Sequence, residues 1–161
     1  MAIARFEKVS KKQFEEDLSK LCSLEDGYDD IRFPVRATKG SAGYDFYSPI
    51  DITIKAHETC KIPSGIRVEI EDGYVLMLYP RSSLGFKYQM TLMNTTGIID
   101  SDYYHADNEG HIIVAIANRG EKDLEIKKGD RFVQGIFLKY YLAQEEEVTE
   151  VRTGGFGSSN K

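Results

Sequence analysis

The chain has few of the residues that build metal sites and disulfide frameworks. Its 161 residues include two cysteines and three histidines. Cys22 and Cys60 form neither a CxxC pair nor a disulfide framework, so we expect reduced thiols and a cytoplasmic protein. Histidines and cysteines that are so few and so scattered also argue against a zinc site.

Long apolar runs and an excess of positive charge are missing as well. No apolar run approaches the roughly 18 residues that a membrane-spanning helix needs, and the first residues lack the apolar core of a signal peptide. The formal net charge is −5, which argues against a broad surface for nucleic acid. We therefore expect neither a membrane nor a nucleic acid as a partner, and the length suits one domain.

The first part of the chain carries a helical pattern from Ser10 to about Leu24. Ser10 can cap this helix, and Gln13 stands three residues later, which is the spacing of a capping box. Apolar residues then recur at i, i+4 and i+7 from Phe14, which makes one apolar stripe. The pattern predicts a packing or lid helix without chemistry of its own, within an N-terminal strand and helix extension over residues 1–30.

From Ile31 onward the chain has the pattern of short strands separated by turns. Most of the runs alternate polar and apolar side chains, and one is more continuously apolar, as in a buried strand. Many short strands at near-regular spacing, with no βαβ alternation or repeat, predict an all-β sandwich or closed barrel. The predicted strands are 51–56, 65–71, 73–79, 112–117 and 131–142.

The segment from Gly97 to Tyr103 has the highest density of chemically useful side chains, because it also contains Asp100 and Asp102. A carboxylate there could take a proton from water, and a ring three residues later could lie against a sugar or a base. The same residues could also form an ordinary hairpin, since Asp is favoured in turns for its local hydrogen bonds. The segment alone is therefore only a candidate site.

Two segments offer groups for phosphate and metal. Residues 80–85 follow the buried strand and provide the Arg81 guanidinium, two hydroxyls and backbone N–H groups for polyphosphate oxygens. Their alternative is a loop into a helical turn. Asp45 stands beside small residues and could face a hydrated Mg²⁺, which uses few carboxylates, or could simply begin a strand.

Two further positions are ambiguous in the same way. Gln134 falls within a predicted strand, where it could bind a ligand or be a structural amide with its own partner. The tail has three glycines and no periodic pattern, so it predicts either a disordered end or a flap that closes on a ligand. Arg152 and Phe156 in that tail could cover a phosphate and a base.

Taken together, these segments resemble the trimeric dUTPase family, whose five motifs appear here in the family's order. A single motif would be weak evidence, whereas five in order are specific, and the resemblance covers roughly residues 33–159. The matching segments are 42–48, 80–85, 97–103, 129–134 and 152–158.

The resemblance implies a fold, an assembly and a reaction. It implies a jelly-roll-like β-barrel over residues 31–148, a mobile C-terminal flap over residues 149–161, and a homotrimer whose active sites are shared between subunits. It implies that dUTP is the substrate, hydrolysed with Mg²⁺ as cofactor to dUMP and pyrophosphate. Such a reaction limits uracil incorporation into DNA and supplies dUMP for thymidylate synthesis.

The resemblance also implies roles for individual residues. Asp100 would be the catalytic base that orients and deprotonates the attacking water, and Asp45 would meet Mg²⁺ through water. Tyr103 would stack under the deoxyribose and exclude a ribose 2′-hydroxyl, and Phe156 would stack on the uracil. The other expected substrate-binding residues are Asn94, Gly97, Ile98 and Ile113 near the uracil, Arg81, Ser82, Ser83 and Gln134 near the phosphates, Arg152 at the γ-phosphate, and Gly157 in the tail.

The chain departs from the family pattern at four places. Ser83 stands where glycine is common, and residues 104–110 lengthen the loop after Tyr103. Arg152 precedes Phe156 by four residues, where five is the commonest spacing. The N-terminal helix is an addition to which the resemblance gives no role.

Two alternatives remain open at this point. A dCTP deaminase-like enzyme shares the fold and the Arg-Ser-Ser-Leu-Gly stretch, but it needs a glutamate in the strand that ends at Asn118. That strand has no acidic residue here. A non-catalytic regulatory nucleotide-binding protein could also use the same fold, although Asp100 and Arg152 are both present.

Overall fold

The computed structural model describes residues 2–21, 27–144, 152 and 154. Within these residues lie twelve strands, two α-helices and two 3-10 turns. The helices are α1 (Lys11–Leu21) and α2 (Ser82–Tyr88), and the 3-10 turns are Tyr28–Asp30 and Ser101–His105. The strands are β1 (Ala4–Lys8), β2 (Val35–Arg36), β3 (Tyr44–Tyr47), β4 (Ile52–Ile54), β5 (Thr59–Pro63), β6 (Ile66–Ile70), β7 (Tyr74–Pro80), β8 (Met90–Leu92), β9 (Gly97–Ile99), β10 (Ile113–Asn118), β11 (Leu124–Ile126) and β12 (Arg131–Lys139).

The strands pair into four antiparallel sheets. The largest has the order β2-β3-β12-β7-β9, a second has the order β5-β10-β8, and β1–β6 and β4–β11 form pairs. Across the described part of the chain this pairing gives a mostly-β fold of several small sheets, as the strand pattern predicted, and the strands do not close into a ring. The edge strands β2 and β9 have only two and three residues.

The predicted strands are all present as strands or contain one. The continuously apolar run 73–79 becomes β7, which pairs with β12 from Val133↔Pro80 to Lys139↔Tyr74. The last predicted strand, 131–142, ends earlier, at Lys139. The core beneath the sheets includes Phe46, Phe132, Ile116 and Leu124, all fully buried, and each such side chain contributes about 1.5–3 kcal/mol of hydrophobic stabilisation.

The predicted N-terminal helix is present as α1. The Ser10 hydroxyl oxygen accepts the backbone N–H of Gln13 at 3.1 Å, as the capping pattern predicts. Phe14 and Leu18 are buried, at 0% and 4% exposure, so the apolar stripe packs on the body of the protein. The end predicted at about Leu24 lies outside the described residues.

Some other predicted features also lie outside the described residues. They include Cys22, Phe156 and Gly157, and of the predicted flap only Arg152 and Gly154 are described. In the described part of the chain, no helix combines the length and the apolar character needed to cross a membrane.

Candidate nucleotide site

Asp100 follows β9 directly and leads into the 3-10 turn Ser101–His105. The register Ile99↔Leu76 fixes β9 beside β7, and Asp100 continues in extended conformation with φ −77° and ψ 160°. Its side chain is 47% exposed. The conformation of this segment therefore leaves the Asp100 carboxylate accessible to solvent, as a candidate site requires.

Arg152 lies against this carboxylate and its neighbour. Its Nη2 donates to Asp100 Oδ2 at 2.7 Å, and its Nε donates to Asp102 Oδ1 at 2.9 Å. The guanidinium carbon is 5.9 Å from the ring centre of Tyr103. The sequence did not single out Asp102 as a partner of Arg152, although its position in the same short turn as Asp100 was a usable signal.

Tyr103 is held from behind by its hydroxyl. The ring is buried, with 4% exposure, and the hydroxyl donates to the carbonyl of His111 at 2.8 Å and accepts from Asn108 Nδ2 at 2.9 Å. Burial raises the pKa of this hydroxyl above its ordinary value, so it stays protonated at neutral pH. A ring fixed in this way has a defined position relative to Asp100.

The residues expected near the uracil share one small pocket. Asn94, Gly97, Ile98 and Ile113 all line it, together with apolar residues of β7, β8 and β10. A Cβ on Gly97 would come within 3.0 Å of the Leu78 Cβ, so glycine permits the close approach of β9 to β7. The structure thus brings together four residues that the sequence separates into two segments.

A second cluster surrounds Asp45. This carboxylate is buried at 7% exposure, with Arg81 Nε 3.1 Å from its Oδ1 and Arg131 Nη1 3.1 Å from its Oδ2. Arg81 also donates to the Arg131 carbonyl at 3.3 Å. Arg131 was not among the predicted site residues, although it lies inside the segment 129–134 that the resemblance had marked.

Gln134 and the two serines complete this cluster. Gln134 is the register partner of Asp45 on β12 and β3, and its amide donates to the Pro80 carbonyl at 3.1 Å. It therefore has the structural partner that a strand glutamine needs. Ser82 and Ser83 are the exposed first residues of α2.

The two clusters lie at opposite ends of β7. Arg81 follows the last residue of β7, whereas Ile99, the residue before Asp100, pairs with Leu76. The five steps along the chain from Leu76 to Arg81 span about 17 Å in an extended strand. Within one chain, the strand geometry therefore holds the backbone of Arg81 well away from that of Asp100.

The metal ligands at hand are few. Among the described residues there is no group of three or more His, Cys, Asp or Glu side chains placed to hold a metal ion. Mg²⁺ usually keeps several waters and is bound by one or two carboxylates together with substrate phosphates. The single carboxylate of Asp45 is paired with Arg81 and Arg131, so this cluster offers one carboxylate to a hydrated cation and does not form an all-protein cage.

Comparison with known proteins agrees with the predicted resemblance. The dUTPase family model matches residues 29–160, and the chain belongs to the dUTPase family. The deoxyuridine 5′-triphosphate nucleotidohydrolase of Lactococcus lactis is 40% identical over 132 residues, which cover 80% of this chain and 88% of that protein. The enzyme of the same name from Caulobacter vibrioides is 38% identical over 143 residues, with 83% and 89% covered.

Solved structures of the family have the same fold. The dUTPase of Streptococcus mutans superimposes with a TM-score of 0.69 at 31% identity, covering 86% of this chain and 98% of that one. The dUTPase of Staphylococcus bacteriophage 80alpha, solved with dUpNHpp, gives a TM-score of 0.69 at 23% identity and covers 100% of both chains. The second likeness concerns the fold alone.

Proposed function

We propose that this member of the dUTPase family hydrolyses dUTP to dUMP and pyrophosphate by attack of water on the α-phosphorus. The observation that carries the proposal is the arrangement around β9: a small pocket lined by Gly97 and Ile98, followed at once by the solvent-accessible Asp100 and by Tyr103. The reaction would limit uracil incorporation into DNA and supply dUMP for thymidylate synthesis.

Uracil would be recognised by the backbone of β9. This strand lies at an edge of the five-stranded sheet, and an edge strand presents N–H and C=O groups that can pair with a ligand. Asn94 and Ile113 line the same pocket. A base with the wrong hydrogen-bonding edge leaves a buried group unpaired, which costs about 1–3 kcal/mol for each such group.

Asp100 would orient the attacking water and take its proton, and general-base assistance of this kind is worth about 10²–10⁴-fold. Tyr103, held through its hydroxyl, would stack under the deoxyribose and leave no room for a ribose 2′-hydroxyl. The Arg152 guanidinium lies 5.9 Å from the centre of this ring, so a sugar stacked on Tyr103 would lie beside Arg152.

Arg81, Ser82, Ser83 and Gln134 would bind the phosphates, and Arg152 would move from Asp100 to the γ-phosphate. Phosphoryl transfer depends on positioning and charge stabilisation more than on covalent chemistry. Mg²⁺, meeting Asp45 through water, would neutralise charge on the phosphate oxygens. Phe156 and Gly157 would close over the uracil from the tail.

The assembly that we propose is a homotrimer with active sites shared between subunits. Its support is the separation of the Asp45–Arg81 cluster from Asp100 along β7. The proposed catalytic base and the proposed phosphate-binding residues of one site would then come from different subunits. The same proposal includes a cytoplasmic location and a division of the chain into an N-terminal extension (1–30), a jelly-roll-like β-barrel (31–148) and a C-terminal flap (149–161).

Product analysis with dUTP, dCTP, dTTP and UTP in the presence of Mg²⁺ tests the function. We expect dUMP and pyrophosphate from dUTP, with little turnover of the other three nucleotides. Release of ammonia from dCTP would instead identify a deaminase, and binding of dUTP without turnover would identify a non-catalytic regulatory protein.

A further inference from the structure

The N-terminal segment 4–21 and the lengthened loop 104–110, two departures from the family pattern, contact one another. The backbone N–H and the hydroxyl of Ser10 both donate to the Glu109 carboxylate, at 2.8 and 2.7 Å. Ser10 is the residue that caps α1. The loop therefore holds the start of the helix.

Tyr104 makes a second contact between the same two parts. Its ring lies 3.6 Å from the guanidinium carbon of Arg67, its carbonyl accepts from Arg67 Nη2 at 3.0 Å, and its hydroxyl donates to Glu7 at 2.6 Å. Glu7 belongs to β1, which pairs with β6 through Glu7↔Arg67. The beginning of the loop is thus fixed to β1 and β6.

Asp17 and His111 make the third contact, and it is buried. His111 is 0% exposed and Asp17 is 7% exposed, and His111 Nδ1 lies 2.6 Å from Asp17 Oδ2. The other ring nitrogen, Nε2, accepts the backbone N–H of Gly65 at 2.8 Å. Because Nε2 is an acceptor, the ring proton is on Nδ1 and is donated to Asp17.

The same His111 holds the Tyr103 hydroxyl through its backbone carbonyl, at 2.8 Å. Asn108, also in the loop, donates to that hydroxyl at 2.9 Å. His111 therefore makes one hydrogen bond to Asp17 through its ring and another to the Tyr103 hydroxyl through its backbone carbonyl, and so connects α1 to Tyr103.

We propose that the N-terminal segment is a positioning device for Tyr103, in which Asp17 acts through His111 to fix the ring and thereby sharpens the rejection of ribonucleotides. This inference rests on the proposed function for its substrate. The family model matches residues 29–160, so Asp17 lies outside the part of the chain that the model matches, whereas His111 and Tyr103 lie within it. A ring that is loosely held can yield to a 2′-hydroxyl, whereas a fixed ring cannot.

The test compares Asp17→Ala with the matched control Glu15→Ala on the same helix. Glu15 is half exposed and only 3.7 Å from Lys11 in a surface pair. We expect the ratio of kcat/KM for dUTP to that for UTP to fall roughly tenfold to a hundredfold in Asp17→Ala, the size that follows from misplacing a substrate-positioning group. Hydrogen exchange over residues 101–111 should rise in Asp17→Ala and stay at the wild-type level in Glu15→Ala.

A folded Asp17→Ala protein with the wild-type ratio would overturn the inference, because a merely structural role lowers both activities together. If Asp17→Ala does not fold, Glu109→Gln decides, since it disturbs the Ser10 contacts near the surface. A lowered ratio with faster exchange over residues 101–111 supports the device, and unchanged values reject it.

The two proposals fail separately in this experiment. A wild-type protein that does not hydrolyse dUTP refutes the proposed function, whatever the exchange data show. A wild-type protein that hydrolyses dUTP, with Asp17→Ala and Glu109→Gln variants that discriminate as well as it does, refutes only the positioning device.

Discussion

Arg152 donates from Nη2 to the Asp100 carboxylate over 2.7 Å. The carboxylate that we propose as the base is thus paired with a guanidinium, and its side chain is 47% exposed. A triphosphate offers that guanidinium several oxygens and competes with Asp100 for it. Binding of the substrate would therefore release Asp100 from its ion pair with Arg152, so that the carboxylate can accept a proton from water.

Replacing Asp100 with Asn should abolish most turnover while preserving the fold. The change is nearly isosteric, and Asp102 still accepts from Arg152, so we expect kcat to fall about 10²–10⁴-fold with near-normal binding of a non-hydrolysable dUTP analogue. The matched control is Asp107→Asn, an exposed residue of the neighbouring loop. Near-normal kcat in a folded Asp100→Asn protein would mean that another group is the base.

Replacing Asp45 with Ala should weaken both the fold and phosphate binding. The change leaves Arg81 and Arg131 without the carboxylate between them, and breaking a buried ion pair on one side costs about 3–5 kcal/mol. Since the Arg81 and Arg131 side chains are themselves 24% and 43% exposed, water screens them after the change, and we expect a loss below that range in urea unfolding, with a raised KM for dUTP. Asp29→Ala, at an exposed position, is the control. Equal losses of unfolding free energy in the two variants would contradict a specific role for the Asp45 pairs.

Asp17 should make the protein sensitive to acid. Burial alone would raise the pKa of Asp17, but hydrogen bonds from His111 and Gln13 outweigh it and hold this pKa below its ordinary value of 3.8. Because the pKa of Asp17 is lower in the folded than in the unfolded state, the stabilisation by this carboxylate is complete above pH 3.8. It is lost as the pH falls through the pKa of Asp17 in the folded protein. The unfolding free energies of wild type and Asp17→Ala should therefore converge as the pH drops below 3.8. A constant difference between them from pH 7 to pH 3 would show that Asp17 does not supply this linkage.

Mixing defective subunits should restore activity if sites are shared. Asp100→Asn and Arg81→Ala chains are each expected to be inactive, but in mixed trimers an intact Asp100 can meet an intact Arg81 from a neighbour. Random mixing at equal amounts should restore roughly a quarter of the sites. The subunit that supplies Asp100 to a site and the subunit that supplies Arg81 each carry the intact residue with a probability of about one half. If both groups of one site come from the same chain, co-refolded mixtures will stay as inactive as their parents.

The sequence by itself determined the local structure and the identity of the candidate groups. Alternation of apolar residues predicted β6, a continuous apolar run predicted β7, and the Ser10–Gln13 spacing predicted the start of α1. These signals depend on neighbours within one turn or one strand. The five ordered segments were enough to identify Asp45, Arg81 and Asp100 as candidate site residues before the structure was known. Their chemistry is carried by residue type and order.

Only the tertiary structure decided which of these groups meet. Strand order and register separate Arg81 from Asp100 along β7 and bring Asn94 and Ile113 into one pocket. The contact of Asp17 with His111 joins residues 94 positions apart and gives the N-terminal helix a connection to Tyr103 that its own pattern did not contain. Such contacts depend on how whole sheets and helices pack on a shared core, and no local periodicity records that packing.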